Sequence, residues 1–507
     1  MSRAVLLASV FAVAACGLVY ELVAGAVSSY LIGDAVTQFS LVVGVFLSAM
    51  GLGSYLSKFI ERRLLQTFVE VEIWIGLAGG LSSLAMFAAN ALAPAAFPVF
   101  FYALCALIGT LVGLEIPLLV RILKDGGGVS SALSHVLALD YAGALAGAVA
   151  FPLIVLPLLG MSRASVVFGI MNLVVAAAGI SLLEGRRAAV TARLAAASAA
   201  LVVCAAFAPG MTTFFENILY EDNIVFVRDT PYQRIVITRW KDDVRLFLSG
   251  HLQFSSVDEA RYHEALVIPA MEAAADRRSV LILGGGDGLA ARETLKYPRV
   301  ERVTLVDIDP EMTRLGRERP EIAGINGGSL KSSKVHVVNV DAMKFLESDR
   351  GFYDVIIADL PDPSSETLAK LYSLQFYQLA LRRLSEGGVF VTQATSPFYA
   401  REAFWTVKAT LAAAATRGDA AAGPALIFPY HADVPSFGDW GFVIATRRPV
   451  APVALAVSVR TRFLTTDVMR SMFTFGTDIA EIPAKVNTLD DPVLHREHRR
   501  GWQRFNR

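Results

Sequence analysis

The first 211 residues are a close succession of long apolar runs, and this feature limits the fold more than any other. A hydrocarbon core about 30 Å thick needs roughly 20 apolar residues per helix. Runs of that length stand at about 5–30, 38–58, 70–90, 96–119, 134–160, 163–183 and 188–208. A secretory signal would end after one short run, and a buried soluble core supplies one or two, not a series. The expectation for 1–211 is therefore a transmembrane helical bundle of about seven spans in a lipid bilayer. Charged side chains become frequent only beyond Pro209-Gly210, where the boundary to a soluble part is expected.

With 507 residues the chain is too long for one ordinary core. A mean hydropathy of +0.50 with 18% charged residues agrees with a large buried or lipid-facing fraction. A formal net charge of zero argues against a nucleic-acid binder that relies on backbone phosphates. Cys16, Cys105 and Cys204 lie in apolar runs and are read as buried small hydrophobes, not as a disulfide framework or metal site. Basic residues cluster at Lys58, Arg62 and Arg63, at Arg121 and Lys124, and at Arg186 and Arg187. These are alternate loops, so the positive-inside rule puts them in the cytoplasm with the N-terminus.

Four acids stand at or within the runs: Glu21, Asp34, Glu115 and Asp140. A carboxylate at membrane depth is costly and faces a bundle interior or a cavity. The first reading is that these side chains snorkel, or pair with Arg121 and each other; a transport or lipid-facing substrate site is the alternative. Gly143-Ala-Leu-Ala-Gly147 is read as close helix packing.

From Asn223 the pattern turns strand-like: Ile224-Val-Phe-Val, Arg234-Ile-Val-Ile-Thr and Val244-Arg-Leu-Phe-Leu, with Asp242-Asp243 as a hairpin turn. This predicts a small antiparallel β domain over 212–257. A helix from about Asp258 to Ala275 follows, capped by Asp258 or Ser256. Residues 258–450 then alternate strands and helices. Ser279-Val-Leu-Ile-Leu283 runs into Gly284-Gly285-Gly286-Asp287-Gly288 and a helix, and Val303-Thr-Leu-Val-Asp307 ends in an acid suited to ribose hydroxyls. Gly284 and Gly286 allow close approach of backbone to a ligand.

Asp287 departs from a dinucleotide fingerprint, because its charge would repel a pyrophosphate. It suits an ammonium or sulfonium group, which points to S-adenosyl compounds; the alternative is that Asp287 only caps the next helix. Asp341, followed by Ala342, is placed to accept from the exocyclic amine of adenine. The strand Tyr353-Asp-Val-Ile-Ile-Ala-Asp359 leads to Asp362, giving two acids three apart at the carboxyl edge where open α/β sheets bind ligands. They would hold a polyamine chain and take a proton from an attacking amine. Gln393 returns to the same edge, and Gly441-Phe-Val-Ile-Ala-Thr446 is expected to close the sheet.

The stretch 223–446 resembles the spermidine synthase family of polyamine aminopropyltransferases. The resemblance rests on Pro231-Tyr-Gln233, Leu252-Gln253-Phe-Ser-Ser-Val-Asp-Glu259, Tyr262-His263-Glu264, Gly284-Gly-Gly-Asp287-Gly288, Asp307-Ile-Asp309, Asp359-Leu-Pro-Asp362-Pro363 and Phe376-Tyr377. It implies a small β domain joined to a Rossmann-like, methyltransferase-type α/β domain, and for the whole chain a membrane-fused bacterial form. The implied roles make Asp359 the base. Asp287 binds the aminopropyl ammonium of decarboxylated S-adenosylmethionine, Asp307 the ribose and Asp341 the adenine. Gln233, Gln253 and His263 line the donor site, and Tyr262, Asp362 and Gln393 the acceptor path. No metal is implied, and the partners are a small polyamine acceptor and a second copy of the chain in a homodimer.

Three departures bear on the acceptor. Asp307 stands where the family usually has Glu, Ser364-Ser365-Glu366 replaces a Gly-Pro turn, and Val434-Pro-Ser-Phe437 puts Phe437 where the family has a tyrosine hydroxyl. Two alternatives stay open: methyl transfer from S-adenosylmethionine to an amphiphilic acceptor, and a non-enzymatic polyamine sensor or transporter-associated module. The basic extension 451–507 carries His495-Arg-Glu-His498, read as part of a solvated or membrane-surface helix and not as a metal pair. The expected location is the bacterial inner membrane. Seven crossings would leave the soluble part periplasmic, whereas a nucleoside cosubstrate is cytoplasmic; the cytoplasmic side is preferred, with the weak Ala-rich last run lying on the surface or re-entering.

Overall fold

Segments that are apolar on every face and keep their backbone groups paired internally form long helices. In the computed structural model, which describes residues 2–32, 35–123, 128–183, 187–220, 222–417 and 425–505, these are α1 (Ser2–Ile32), α2 (Ala35–Leu56), α3 (Leu64–Leu92), α4 (Phe97–Leu123), α5 (Gly128–Ala150), α6 (Leu156–Ile180) and α7 (Arg187–Tyr220). Asp34, Lys124 and Arg186 lie outside the described residues. The chain divides into two compact units, Met1–Pro231 and Tyr232–Arg507.

In the first unit, six helical stretches among the described residues are long and apolar enough to cross a membrane. One of them, Ser130–Ile180, is broken at Gly160, whose φ of 69° and ψ of 176° leave the helical region. It therefore contains two of the expected apolar segments. The glycine repeat packs as expected: a Cβ at Gly143 would sit 2.2 Å from the Phe11 carbonyl oxygen of α1, and one at Gly147 would sit 2.9 Å from that of Ala15.

One expectation fails here. Arg121 does not pair with Glu115; its guanidinium donates to the Ser57 and Ile60 carbonyls at 2.9 and 2.6 Å, tying the end of α4 to the segment after α2. The last helix, α7, runs on past the compositional change at Pro209-Gly210 to Tyr220. Composition marks where polarity changes, while a helix ends only where its backbone bonding ends.

After β1 (Asn223–Asp229), the second unit opens with β2 (Arg234–Trp240), β3 (Asp243–Leu248) and β4 (His251–Ser255), paired antiparallel in chain order. The β2–β3 turn falls at Lys241-Asp242, with Lys241 at φ 55°. There follow α8 (Glu259–Ala273), β5 (Ser279–Gly284), α9 (Leu289–Leu295), β6 (Arg302–Asp307), α10 (Pro310–Glu318), α11 (Pro320–Ala323), β7 (Val335–Asn339), α12 (Ala342–Ser348), β8 (Tyr353–Asp359), α13 (Glu366–Ala369), α14 (Leu374–Leu381), β9 (Leu384–Gln393), α15 (Arg401–Arg417), β10 (Leu426–Val434), β11 (Gly438–Thr446), α16 (Thr466–Ser471) and α17 (Val493–Gln503).

Seven strands make one mixed sheet in the order β10-β11-β9-β8-β5-β6-β7. Strands β5 to β9 run parallel, and their continuous apolar cores are buried on both faces, as parallel strands covered by helices require. β11 is antiparallel to β9 and does not close the sheet, because β10 pairs with it as the edge strand. Pro429 obscures β10 in the sequence; an edge strand tolerates proline because one row of its N–H groups needs no ladder partner.

The tail beyond Val450 is also not a solvated extension. Leu464, Met469, Met472 and Leu494 are buried, Trp405 Nε1 donates to the Ile479 carbonyl at 3.2 Å, and Asn487 Nδ2 donates to the Ala369 carbonyl at 2.9 Å. The basic residues of α17 line one face only, and the opposite face packs on the α/β domain.

Candidate active site

The order of the sheet fixes where a ligand can lie. The chain enters at β5, adds β6 and β7 on one side, and then returns to add β8 and β9 on the other. At such a reversal, connections leave β5 and β8 in opposite directions and open a crevice at their carboxyl ends. Gly284 and Asp359 are register partners there. Gly284 has φ +84°, and a Cβ on it would fall 1.9 Å from the Asp359 carbonyl oxygen, so only glycine lets the two strand ends approach. Gly286 donates its N–H to Asp307 Oδ2 at 3.0 Å, and a Cβ there would lie 2.5 Å from that oxygen.

Asp287, Asp359, Tyr262 and His263 come together at this crevice. Tyr262 donates its hydroxyl to Asp359 Oδ1 at 3.1 Å, and its buried ring stands against Phe437 and Phe442. Burial pushes the Asp359 carboxyl up to about 6; His263 opposes that shift and Asp287 adds to it. Burial also raises Asp287, against the attraction of His263. Asp287 Oδ1 accepts the Leu289 N–H at 2.8 Å, so it caps α9 while facing the site. The capping and site readings of this residue are compatible.

His263 was expected in the donor site, but its support was not foreseen. Its Nδ1 lies 2.8 Å from the Glu259 carbonyl and 3.2 Å from Glu259 Oε2. Burial alone would lower His263; Glu259, Asp359 and Asp287 instead hold it up at about 9. Glu259 is 1% exposed and is also bound by Arg292, whose two terminal nitrogens reach its two oxygens at 2.9 and 2.7 Å, and by Arg462 at 2.7 Å. Burial would raise Glu259, but His263 and Arg292 bring it down to about 2. Two carboxylates, Asp287 and Asp359, thus lie within electrostatic reach of His263 in one buried cluster. A cationic ligand fits that cluster.

Beside the glycine loop, Asp307 accepts the Gly286 N–H with Oδ2 and the Asp309 N–H at 2.8 Å with Oδ1; burial pushes it up to about 7. Gln233 joins this side through Asp309 Oδ2 at 3.0 Å. Gln253 Nε2 donates to the His251 carbonyl at 3.1 Å. Asp341 caps α12 through the Met343 and Lys344 N–H groups, and its other oxygen lies 2.8 Å from Lys370 Nζ. Its carboxyl is held below the ordinary range despite burial, chiefly by Lys370. Ala342 is the first residue of α12. Asp258 does not cap α8 with its side chain, because Ser436 takes it through N–H and Oγ at 2.7 and 2.9 Å.

On the other side, Gln393 gathers the loop after β8. Its Nε2 donates to the Leu360 carbonyl at 3.0 Å, to Asp362 Oδ1 at 3.2 Å and to the Tyr372 hydroxyl. The second Asp362 oxygen lies 3.3 Å from His498 Nε2 on α17. His495 Nδ1 lies 3.3 Å from the Pro363 carbonyl, and both histidines are buried. The basic, solvated reading of this helix is therefore corrected: an acid and a carbonyl of the loop after β8 attract its imidazoles. Sequence reasoning missed Glu259, Arg292, Arg462, Tyr372 and His498. The first signal available was Glu259 and His263 standing four apart on one helix, where they share a face. Nothing local linked His498 to Asp362, which is 136 residues away. Among the described residues no group of three or more His, Cys, Asp and Glu side chains is arranged to hold a metal ion.

With this geometry in place, residues 259–443 match the spermine/spermidine synthase domain family. Polyamine aminopropyltransferase 2 of Ralstonia nicotianae is 44% identical over 511 residues, covering 99% of this chain and 98% of that protein. Polyamine aminopropyltransferase of Leptospira interrogans is 43% identical over 505 residues, covering 98% of each. The crystal structure of spermidine synthase from Thermotoga maritima is 23% identical with a TM-score of 0.45, covering 50% of this chain and 86% of that one.

Proposed function

Because this chain belongs to the polyamine aminopropyltransferase (spermidine synthase) family, we propose that it moves the aminopropyl group of decarboxylated S-adenosylmethionine to putrescine or a related small amine, releasing methylthioadenosine. The observation that carries this reading is the pair of carboxylates, Asp287 and Asp359, held around one imidazolium at the reversal of a Rossmann-like sheet. Asp287 binds the donor's ammonium, and the neighbouring carboxylates favour its sulfonium. Asp307 takes the ribose and Asp341 the adenine, with Gln233, Gln253, His263, Gly284, Gly286 and Ala342 along the donor. Tyr262, Asp362, Gln393 and Phe437 line the acceptor path.

The donor supplies a carbon made electrophilic by its neighbouring sulfonium, so the transfer needs no metal. The chain positions a neutral amine in line with that carbon and accepts its proton. A new carbon–nitrogen bond forms, the carbon–sulfur bond breaks to a thioether, and the amine proton passes to the Asp359 carboxylate. Tyr262 holds one oxygen of that carboxylate and fixes its direction. Gln393 and His498 orient Asp362 to receive the far ammonium of a diamine.

Detergent-purified protein given decarboxylated S-adenosylmethionine and putrescine is expected to release methylthioadenosine together with an aminopropylated amine seen by mass spectrometry. No release across a panel of di- and triamines would sink the transfer. Methylated products from S-adenosylmethionine would replace it with a methyltransferase.

The apolar helices of the first unit support an integral, multi-pass location in a cell membrane. We place the catalytic unit on the cytoplasmic side, where adenosyl donors are made. A fluorescent protein fused after Arg507 is expected to glow in intact cells, whereas a periplasmic phosphatase fused at the same point stays inactive. The reverse pattern would put the chemistry outside.

A further inference from the structure

The first unit contains a polar cluster at its centre that the transfer reaction does not use. Glu72 on α3 is 0% exposed and Glu115 on α4 is 3% exposed, and the two carboxyls are close enough to act on each other. Asn172 on α6, fully buried, donates through Nδ2 to Glu72 Oε2 at 2.8 Å. Tyr20 on α1 donates its hydroxyl to Asn172 Oδ1 at 2.9 Å. The ring of Tyr20 has room because residue 79 is glycine; a Cβ there would fall 2.5 Å from the ring. Three helices therefore contribute to one buried hydrogen-bonded line that ends on Glu72, beside Glu115 of a fourth. One oxygen of each acid, Glu72 Oε1 and Glu115 Oε1, is buried without a conventional partner.

Two adjacent carboxylates cannot both stay ionised in an apolar bundle unless a cation joins them. The groups facing the pair provide none. From α1 they are Cys16 and Tyr20, from α5 Asp140, and from α6 the neutral Asn172. Helix α2 has Tyr55 as its one titratable residue, exposed and beneath Lys58. On α7, Arg187 bonds the Leu183 carbonyl and Arg193 pairs with Glu70. Arg121, the basic residue nearest in sequence to Glu115, bonds two backbone carbonyls. A metal would need more ligands than the described residues gather here. The occupant that two acceptor oxygens in a close-packed core can take without added space is a proton.

We propose that Glu72 and Glu115 form a proton-binding site in the helical unit, sharing one proton between them, with half-buried Asp140 as the group through which that proton exchanges. Asp140 is the remaining acid that acts on Glu115, and it is half-buried on α5. A carboxyl pair of this kind is what an ion-coupled membrane helix bundle carries, and it gives the first unit a chemistry of its own. The inference does not rest on the aminopropyl transfer.

The test uses the full chain in lipid nanodiscs and infrared difference spectra of wild type against Glu115→Gln. At neutral pH the difference is expected to contain a protonated-carboxyl C=O band that shifts in heavy water. A difference containing only ionised carboxylate would overturn the proposal. Gln replaces a protonated Glu nearly atom for atom, so Glu115→Gln is expected to fold with wild-type thermal stability; failure to fold would also overturn it. Asp140→Asn is expected to slow the heavy-water shift of the wild-type band, and an unchanged rate removes Asp140 from the site. Methylthioadenosine release is expected to be the same in Glu115→Gln and wild type. Its absence from both would count against the transfer reaction and not against this site.

Discussion

Replacing Asp359 with Asn is expected to lower kcat by ~10²- to 10⁴-fold, the span a positioned general base contributes, with donor affinity nearly unchanged. The amide keeps the shape of the side chain and can still bond Tyr262, but it has no lone pair basic enough to take an ammonium proton. The wild-type group is tuned for that step. Burial raises its carboxyl to about 6, His263 restrains the rise, and Asp287 extends it. Above that value Asp359 is ionised and able to accept a proton; as pH falls through it, the base is lost. The kcat/KM profile of the wild type, which follows the groups of the free enzyme, is expected to show a one-proton acid limb near about 6 that the Asn variant lacks. Single-turnover assays and calorimetric titration with the donor check the two halves of the prediction. A variant with wild-type turnover, or one that no longer binds donor, would remove Asp359 from the role of base.

Glu259→Gln is expected to destabilise the second unit by about 3–5 kcal/mol, because it leaves buried cations without their counter-charge. Glu259 is 1% exposed and receives His263, Arg292 and Arg462 together. The pH dependence has a definite sign. Glu259 is lowered from 4.5 to about 2 on folding, so its contribution is full above 4.5 and is lost as pH falls towards 2. His263 is raised from 6.5 to about 9, so its contribution is full below 6.5 and is lost as pH rises towards 9. Both partners are charged in the folded state across this range, and the pair stabilises most between 4.5 and 6.5. The gap between wild type and variant, measured by denaturant unfolding at several pH values, is expected to be widest there and to narrow on the alkaline side. A gap that is negligible or flat with pH would show that the ion pair does not support the site.

The same cluster shows how much of the site was legible in the sequence. Asp287, Asp307 and Asp359 stand at or just beyond strand ends that short apolar runs and glycine reveal. Alternation of strands and helices brings such ends to one edge whatever the loops do. Their partners were hidden for a different reason. Arg462 and His498 lie in a tail whose charge suggested solvent, yet Arg462 reaches Glu259 across 203 positions and His498 reaches Asp362 across 136. Periodicity detects a face, and it does not say what that face meets.

The first unit divides in the same way. Hydropathy alone located the long helices, because length and apolarity are additive along a chain. Glycine spacing gave the close approach of α5 to α1. Glu115 and Asp140 stood out as single charges in apolar runs, but Glu72 did not, since Glu70 beside it made the segment look like an ordinary helix end. Only packing could separate those two acids. Glu70 turns outward to Arg193, while Glu72 turns inward to Asn172 and Glu115.

The sequence by itself therefore determined the change from long apolar helices to a part of alternating strands and helices, the succession of the parallel strands β5 to β9, and the three acids of the glycine-loop edge. These follow from local pattern and from the few topologies a parallel sheet allows. The tertiary structure decided which charges are paired. It brought Arg462 to Glu259, set α17 against the acceptor-side loop, and brought two acids together inside a helical bundle. Charge pairing depends on distance and burial, and neither is fixed until remote parts of the chain have packed against each other.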